Sequence, residues 1–331
     1  MKQEVLLSKN GTKSIKGFLV CMVLLSHLHA RVSLFSNSLV GTIFSAFGYL
    51  AVSSFFFLSA FGLYESCLQK GKNYVIHFPA QKLLPYYAMC CVAILIYLVR
   101  DLVVTGTTHW PTFAWSFFFG KTVVDMGWYL QAQLLLYIIF FVVFRFAKKQ
   151  RLLLVGLMLA VYCAICAVVG LSETWYESVL CFLLGMLCAK YQKQILMFYQ
   201  DWKQWLVAGA GIGVLFIITL FLGNKTILPN SLRICVKMVS AIAFNGLVVS
   251  IVARLNLENP VTGFLGKYSF EIYVLQGIFL YGYRSVIKND WFYMGAVVAS
   301  VILLSLAAHP LFTFVSKTIS SLCTKTQRGR K

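Results

Sequence analysis

Gly17-Phe18-Leu19-Val20-Cys21-Met22-Val23-Leu24-Leu25-Ser26-His27 decides how the rest of the chain is read. The run follows a basic flank of Lys2, Lys9, Lys13 and Lys16, the pattern of a secretory signal. No clear small-x-small cleavage site follows it, and nine further apolar runs do. It is therefore expected to stay in place as the first of about ten membrane helices, since a helix crosses the hydrocarbon with about 20 apolar residues. The runs are 17–35, 39–64, 83–104, 127–147, 152–170, 176–190, 204–223, 235–254, 264–284 and 292–316. Helices rather than a barrel are expected, because lipid offers backbone N–H and C=O groups no partner and no alternating ten-residue strands are present.

The composition agrees. Of the 331 residues 60% are hydrophobic and only 12% charged, too little polarity to cover a soluble domain of this size. Disordered, collagen-like and ordinary cytosolic classes are excluded. A net charge of +19 would suggest nucleic acid in a soluble protein, but here the cations sit in short clusters between apolar runs, so no nucleic-acid partner is expected. With the N-terminus inside, 21 of the 29 Lys and Arg fall in inner segments, which places both termini in the cytoplasm. The expected fold is all-α: a polytopic transmembrane helical bundle with an N-terminal segment 1–16, a membrane domain 17–316 and a basic tail 317–331. The ten Cys lie mostly inside apolar runs, and neither Cys163-x-x-Cys166 nor any other spacing suggests a redox or metal site.

Ionisable groups at membrane depth are costly, so each is a functional candidate. Lys16 and His27 are 11 residues apart, about three helical turns or roughly 16 Å, on one stripe with Val20 and Val23, and Arg31 is expected one turn further. Neutral imidazole accepts a proton near physiological pH, so His27 is a candidate general base; a hydrogen bond between helices accounts for it equally well. Glu271 begins the ninth run, where a helix N-terminus favours a carboxylate. Gln131, Gln133 and Asn245 suit either cross-helix hydrogen bonds or a sugar hydroxyl. His309 precedes Pro310 and is expected to satisfy the carbonyl that Pro frees. Arg100 and Asp101 are expected to form a local ion pair. No Walker-type phosphate loop and no serine-hydrolase motif is present.

Four stretches in order resemble the acyltransferase-3 family of integral-membrane acyltransferases. They are Lys16-Gly17 followed by His27; Gly48-Tyr49-Leu50-Ala51-Val52-Ser53-Ser54-Phe55-Phe56-Phe57-Leu58-Ser59-Ala60-Phe61; Gln81-Lys82-Leu83-Leu84-Pro85-Tyr86; and Gly266-Lys267-Tyr268-Ser269-Phe270-Glu271-Ile272-Tyr273-Val274-Leu275-Gln276. The resemblance implies about ten spans and transfer of an acyl group, usually acetyl, from acetyl-CoA or another acyl-CoA to a hydroxyl of a cell-surface polysaccharide or lipid-linked sugar. It implies His27 as the catalytic residue, Lys16 and Lys82 at the acyl donor, and a bacterial inner membrane. Gln131, Glu271 and Gln276 are the candidates for acceptor binding. No permanently bound cofactor and no metal are expected. The chain departs from the family pattern in carrying Lys at 16 for Arg, Pro at 79 for one of two Arg, Ala at 60 for Gly and Gln at 276 for His. Lys lacks the bidentate phosphate contact of Arg. Some relatives append an extracytoplasmic domain; residues 317–331 hold none, so any such partner is expected to be a separate protein. A transporter or flippase of lipid-linked sugars and a non-catalytic membrane scaffold are the alternatives.

Overall fold

A computed structural model of the protein describes residues 5–32, 35, 38–223 and 228–328, and for 324–328 the backbone only. Lys2, Lys225, Arg330 and Lys331, four of the cations behind the expected orientation, lie outside the described residues. In chain order the helices are α1 (Lys9–His29), α2 (Leu39–Phe78), α3 (Leu84–Thr105), α4 (Trp110–Trp115), α5 (Trp128–Phe146), α6 (Arg151–Val168), α7 (Leu180–Lys190), α8 (Gln192–Gln200), α9 (Trp202–Gly223), α10 (Asn230–Val252), α11 (Pro260–Lys267), α12 (Ser269–Gly282) and α13 (Asp290–Arg328). A π-turn, Pro79–Leu83, joins α2 to α3, and 3₁₀ turns lie at Glu173–Trp175 and Tyr283–Ser285. No strand occurs among the described residues.

Among the described residues, six stretches are long and apolar enough to cross a bilayer: Leu39–Thr105, Trp128–Phe146, Arg151–Val168, Trp202–Gly223, Asn230–Val252 and Asp290–Cys323. A seventh is counted if Glu173–Lys190 and Gln192–Gln200, which meet at 75°, form one broken span. The first stretch contains two of the expected runs, 39–64 and 83–104. Two others fall short for visible reasons. Lys9, Lys13 and Lys16 occupy the first half of α1, and the run 264–284 is divided at Tyr268 between α11 and the 14-residue α12. Val103, Val168, Val207, Ile217 and Leu303 point outward, as lipid-facing side chains do.

The bounds of the first helix are corrected. The first helix begins earlier and ends earlier than 17–35. Ser8 caps it, its Oγ accepting from the Gly11 amide at 2.9 Å, and it closes at Ala30, whose N–H bonds back to Leu28 and Ser26 carbonyls. Arg31 therefore lies in the turn that follows α1, across which the Val32 N–H still bonds back to the Leu28 carbonyl at 3.2 Å.

The described chain divides into two compact units, one of residues up to Gln69 with Leu152–Ser269, the other of Lys70–Arg151 with Phe270 onward. In the first, α1 lies on α11 and α9 on α10. Glycine sets the closest approaches. Gly17 faces the Thr262 carbonyl and the Gly266 amide, and Gly266 in turn faces the Lys13 carbonyl; a Cβ on either would overlap backbone. Gly185 of α7 likewise abuts the Phe57 carbonyl and Ala60 of α2. Small residues at such crossings let helices meet in lipid, where no hydrophobic force separates helix from solvent. In the second unit α3 packs on α13, and Phe78 meets Tyr137 and Phe140 at centroid distances of 5.9 and 5.1 Å. Pro79 and Pro85 bracket the π-turn, in which the Leu84 N–H reaches back five residues to the Pro79 carbonyl. Gly71 interrupts α2 with φ 60° and ψ −146°, a left-handed conformation that glycine adopts without strain.

Candidate active site

In the first unit the site is built on α1. Its lower half is fixed by reciprocal polar contacts: Ser14 Oγ donates to the Asn259 carbonyl at 3.1 Å and accepts from the Asn259 amide at 3.0 Å. Ser8 Oγ donates to Glu258 Oε1 at 2.8 Å. The Gly17 crossing follows directly after Lys16, so Lys16 is held beside α11. Further along, Ser26 lies against Gly48 of α2, and the His29 ring meets Phe44 edge-on at 5.9 Å. Val20 and Val23 are buried while Phe18 is exposed, so the stripe carrying Lys16 and His27 faces protein. Both Lys16 and His27 are half-buried. A proton acceptor and a cation thus share the inward face of one helix, roughly 16 Å apart along its axis.

Apart from Asn245, the same unit holds polar groups the sequence did not single out. Lys237 of α10 reaches Glu173 Oε1 at 2.7 Å and Glu177 Oε2 at 3.3 Å, and Arg233 approaches Glu173 at 3.7 Å. Glu177 is only 4% exposed. Tyr49 Oη donates to Ser240 Oγ at 3.1 Å, and the Lys237 ammonium lies 5.8 Å from the Tyr49 ring centre. Asn245 links α10 to α2: its Nδ2 donates to Ser53 Oγ at 2.9 Å and, within its own helix, to the Ala241 carbonyl at 2.9 Å. The partners of Lys237 and Tyr49 lie 60 to 191 residues away, so no local pattern specifies them.

The second unit holds Lys82, Gln131, Glu271 and Gln276. Lys82 projects exposed from the π-turn, a device frequent at functional sites. Glu271 is buried in the first turn of α12, and its Oε1 lies 2.7 Å from His309 Nδ1; Thr313 Oγ1 lies 3.4 Å from His309 Nε2. The expectation that His309 serves a carbonyl freed by Pro310 is thus corrected: the ring turns to a carboxylate, which binds it more strongly than a peptide oxygen would. Gln131 Oε1 accepts from the Gly120 amide at 2.9 Å and so pins the loop before α5, beside a cavity of about 20 Å³, room for roughly one water. Gln276 is fully buried and donates to the Tyr273 carbonyl at 2.9 Å. Arg100 forms its pair with Asp101 at 2.7 Å, extended by Asp125 at 3.0 Å and backed by the Tyr97 ring at 4.6 Å. Gly277 leaves the room that Asp125 and Tyr97 fill.

A family model described as an acyltransferase domain matches residues 13–309, from before Lys16 to His309. The chain belongs to the acyltransferase-3 family. No curated protein and no solved structure matches it. Membership makes the protein a multi-pass membrane acyltransferase. The matched region takes in every candidate side chain, and the α1–α11 crossing joins the first and last stretches through which the chain resembles the family. Ala60, which stands where the family has Gly, is fully buried against Gly185, so the missing space there is supplied by α7.

Proposed function

We propose that the protein moves an acetyl group from acetyl-CoA to a hydroxyl of a cell-surface polysaccharide or lipid-linked sugar. The observation that carries this is the inward stripe of α1, with the half-buried His27 and Lys16 on one face with the buried Val20 and Val23, inside a region matched to the family. In the proposed step His27 takes the proton of the acceptor hydroxyl and the oxygen attacks the thioester carbonyl. The tetrahedral intermediate collapses with cleavage of the C–S bond, and the CoA thiolate recovers the proton from the imidazolium. The products are an ester and free CoA, so no further reactant is needed. Lys16 and Lys82 are assigned to the donor phosphates as point charges. Gln131, Glu271 and Gln276 are assigned to the acceptor side, where each must exchange or share the internal hydrogen bond it already makes. The proposal includes ten spans with both termini in the cytoplasm of a bacterial inner membrane, and a membrane domain over 17–316.

The test is transfer of radiolabel from acetyl-CoA to an extract of the host's surface glycans and lipid-linked sugars, with purified protein in nanodiscs. Wild type is expected to label glycan, and His27→Ala to label it at least about a hundredfold more slowly. Equal labelling by both removes His27 from the mechanism. No labelling by folded wild type overturns the reaction and moves the weight to transport or scaffolding.

A further inference from the structure

The second unit contains a cavity of about 240 Å³ where the last turn of α2 meets the connection from α5 to α6. Its lining is of two kinds. Lys72, Arg145, Lys148 and Arg151 supply four cations; Val75, Ile76, Phe144 and Phe146 supply an apolar wall. No carboxylate lines it, and among the described residues none forms an ion pair with any of the four.

We infer that this cavity binds the phosphate headgroup of an anionic phospholipid. Topology alone asks for cations on this side of the membrane, but not that four converge on one hollow. Convergence without a counter-charge is self-repulsive, and an anion removes that cost. The connection is shaped to hold the cations there. Gln150 adopts φ 52°, a left-handed conformation uncommon outside glycine, between Lys148 and Arg151. Arg151 donates Nε–H to the Ala147 carbonyl at 2.9 Å and lies 5.5 Å from the Phe144 ring centre, which fixes its guanidinium. Arg151 also opens the 18-residue α6, where the helix dipole disfavours a cation and favours an anion. The apolar wall selects a lipid over a soluble phosphate compound. Ile76 is 47% and Phe146 72% exposed, continuing the hollow outward as a surface for an acyl chain. None of these residues belongs to the acyl-transfer site proposed above, and the inference does not rest on that reading.

The test uses the full chain, wild type and Lys148→Gln/Arg151→Gln, reconstituted in nanodiscs of phosphatidylcholine containing a minor fraction of spin-labelled phosphatidylglycerol. Immobilisation of the spin label and retention of phosphatidylglycerol in native mass spectra are read. Each cation near a lipid surface contributes about fivefold, so the double variant is expected to lose phosphatidylglycerol by about thirtyfold, and added salt to weaken the wild type. Lys193→Gln/Lys203→Gln, which removes two cations outside the hollow, is expected to behave as wild type. Equal retention by all three proteins, or equal loss from both variants, overturns the site. A second arm measures ADP binding by dialysis in phosphatidylcholine nanodiscs. ADP bound with the same dependence on Lys148 and Arg151, with no preference for phosphatidylglycerol, overturns the lipid assignment and makes the source soluble.

Discussion

The crossing of α1 and α11 yields a quantitative prediction, because two effects of opposite sign meet at each glycine. Replacing glycine by alanine inside a helix gains up to about 1 kcal/mol of helix propensity. At Gly62 and Gly211 a Cβ meets nothing within 4 Å, and at Gly263 only Ser14 Oγ at 3.5 Å, so alanine there is expected to be neutral or stabilising. At Gly17 and Gly266 the new Cβ overlaps the Thr262 and Lys13 carbonyls, which are backbone and cannot rotate aside. The two helices must separate, and overpacking of this kind costs about 1–3 kcal/mol, enough to outweigh the propensity gain. Because the glycines face each other, the separation forced by the first substitution makes room for the second. Gly17→Ala/Gly266→Ala is therefore expected to be less destabilised than the sum of the single variants, by about 1 kcal/mol. Thermal unfolding of the five single variants and the double variant in one detergent checks this. Neutral single substitutions, or costs that simply add, would refute the reasoning.

Lys237→Met strands Glu177 without its ammonium, and breaking a buried pair from one side costs about 3–5 kcal/mol; Arg233 beside Glu173 holds the loss to the lower end. Adding Glu177→Gln in the same chain is expected to recover most of that loss in a thermal melt, and no recovery would mean that Lys237 acts through packing alone. Glu271→Leu removes the carboxylate from His309 Nδ1 and is expected to cost about 1–3 kcal/mol, while Glu271→Gln, which keeps a hydrogen-bonding oxygen, costs less. Equal stability of the leucine variant and wild type would show that the Glu271–His309 contact contributes nothing.

The stripe of Lys16, Val20, Val23 and His27 was legible because it depends only on helical period, and the side chains between the two polar ends are buried as that period requires. The bounds of α1 were misread because period alone does not say where a helix opens or closes. The contacts of Glu271 with His309, and of Lys237 with Glu173 and Glu177, join residues 38 to 64 positions apart, and no local pattern specifies them. Apolar runs locate helices but not how they are divided. Gly71 and the two prolines around the π-turn interrupt one long stretch, while α13 runs 39 residues, about 58 Å, well beyond the hydrocarbon thickness. The glycine crossings were invisible as such, since a glycine in an apolar run looks the same whether it meets lipid or a carbonyl.

The partners that fix α1, Ser14 and Asn259, are 245 residues apart. A ribosome adding about 5–20 residues per second needs roughly 12 to 50 seconds to cover that distance. Throughout that interval the first helix, with its lysines and His27, has emerged while α11 does not yet exist. A helix whose first half carries three lysines thus waits for the neighbour that fixes it. Its correct placement is therefore a late event in the biosynthesis of the protein, and one exposed to whatever machinery holds unfinished membrane segments in the meantime.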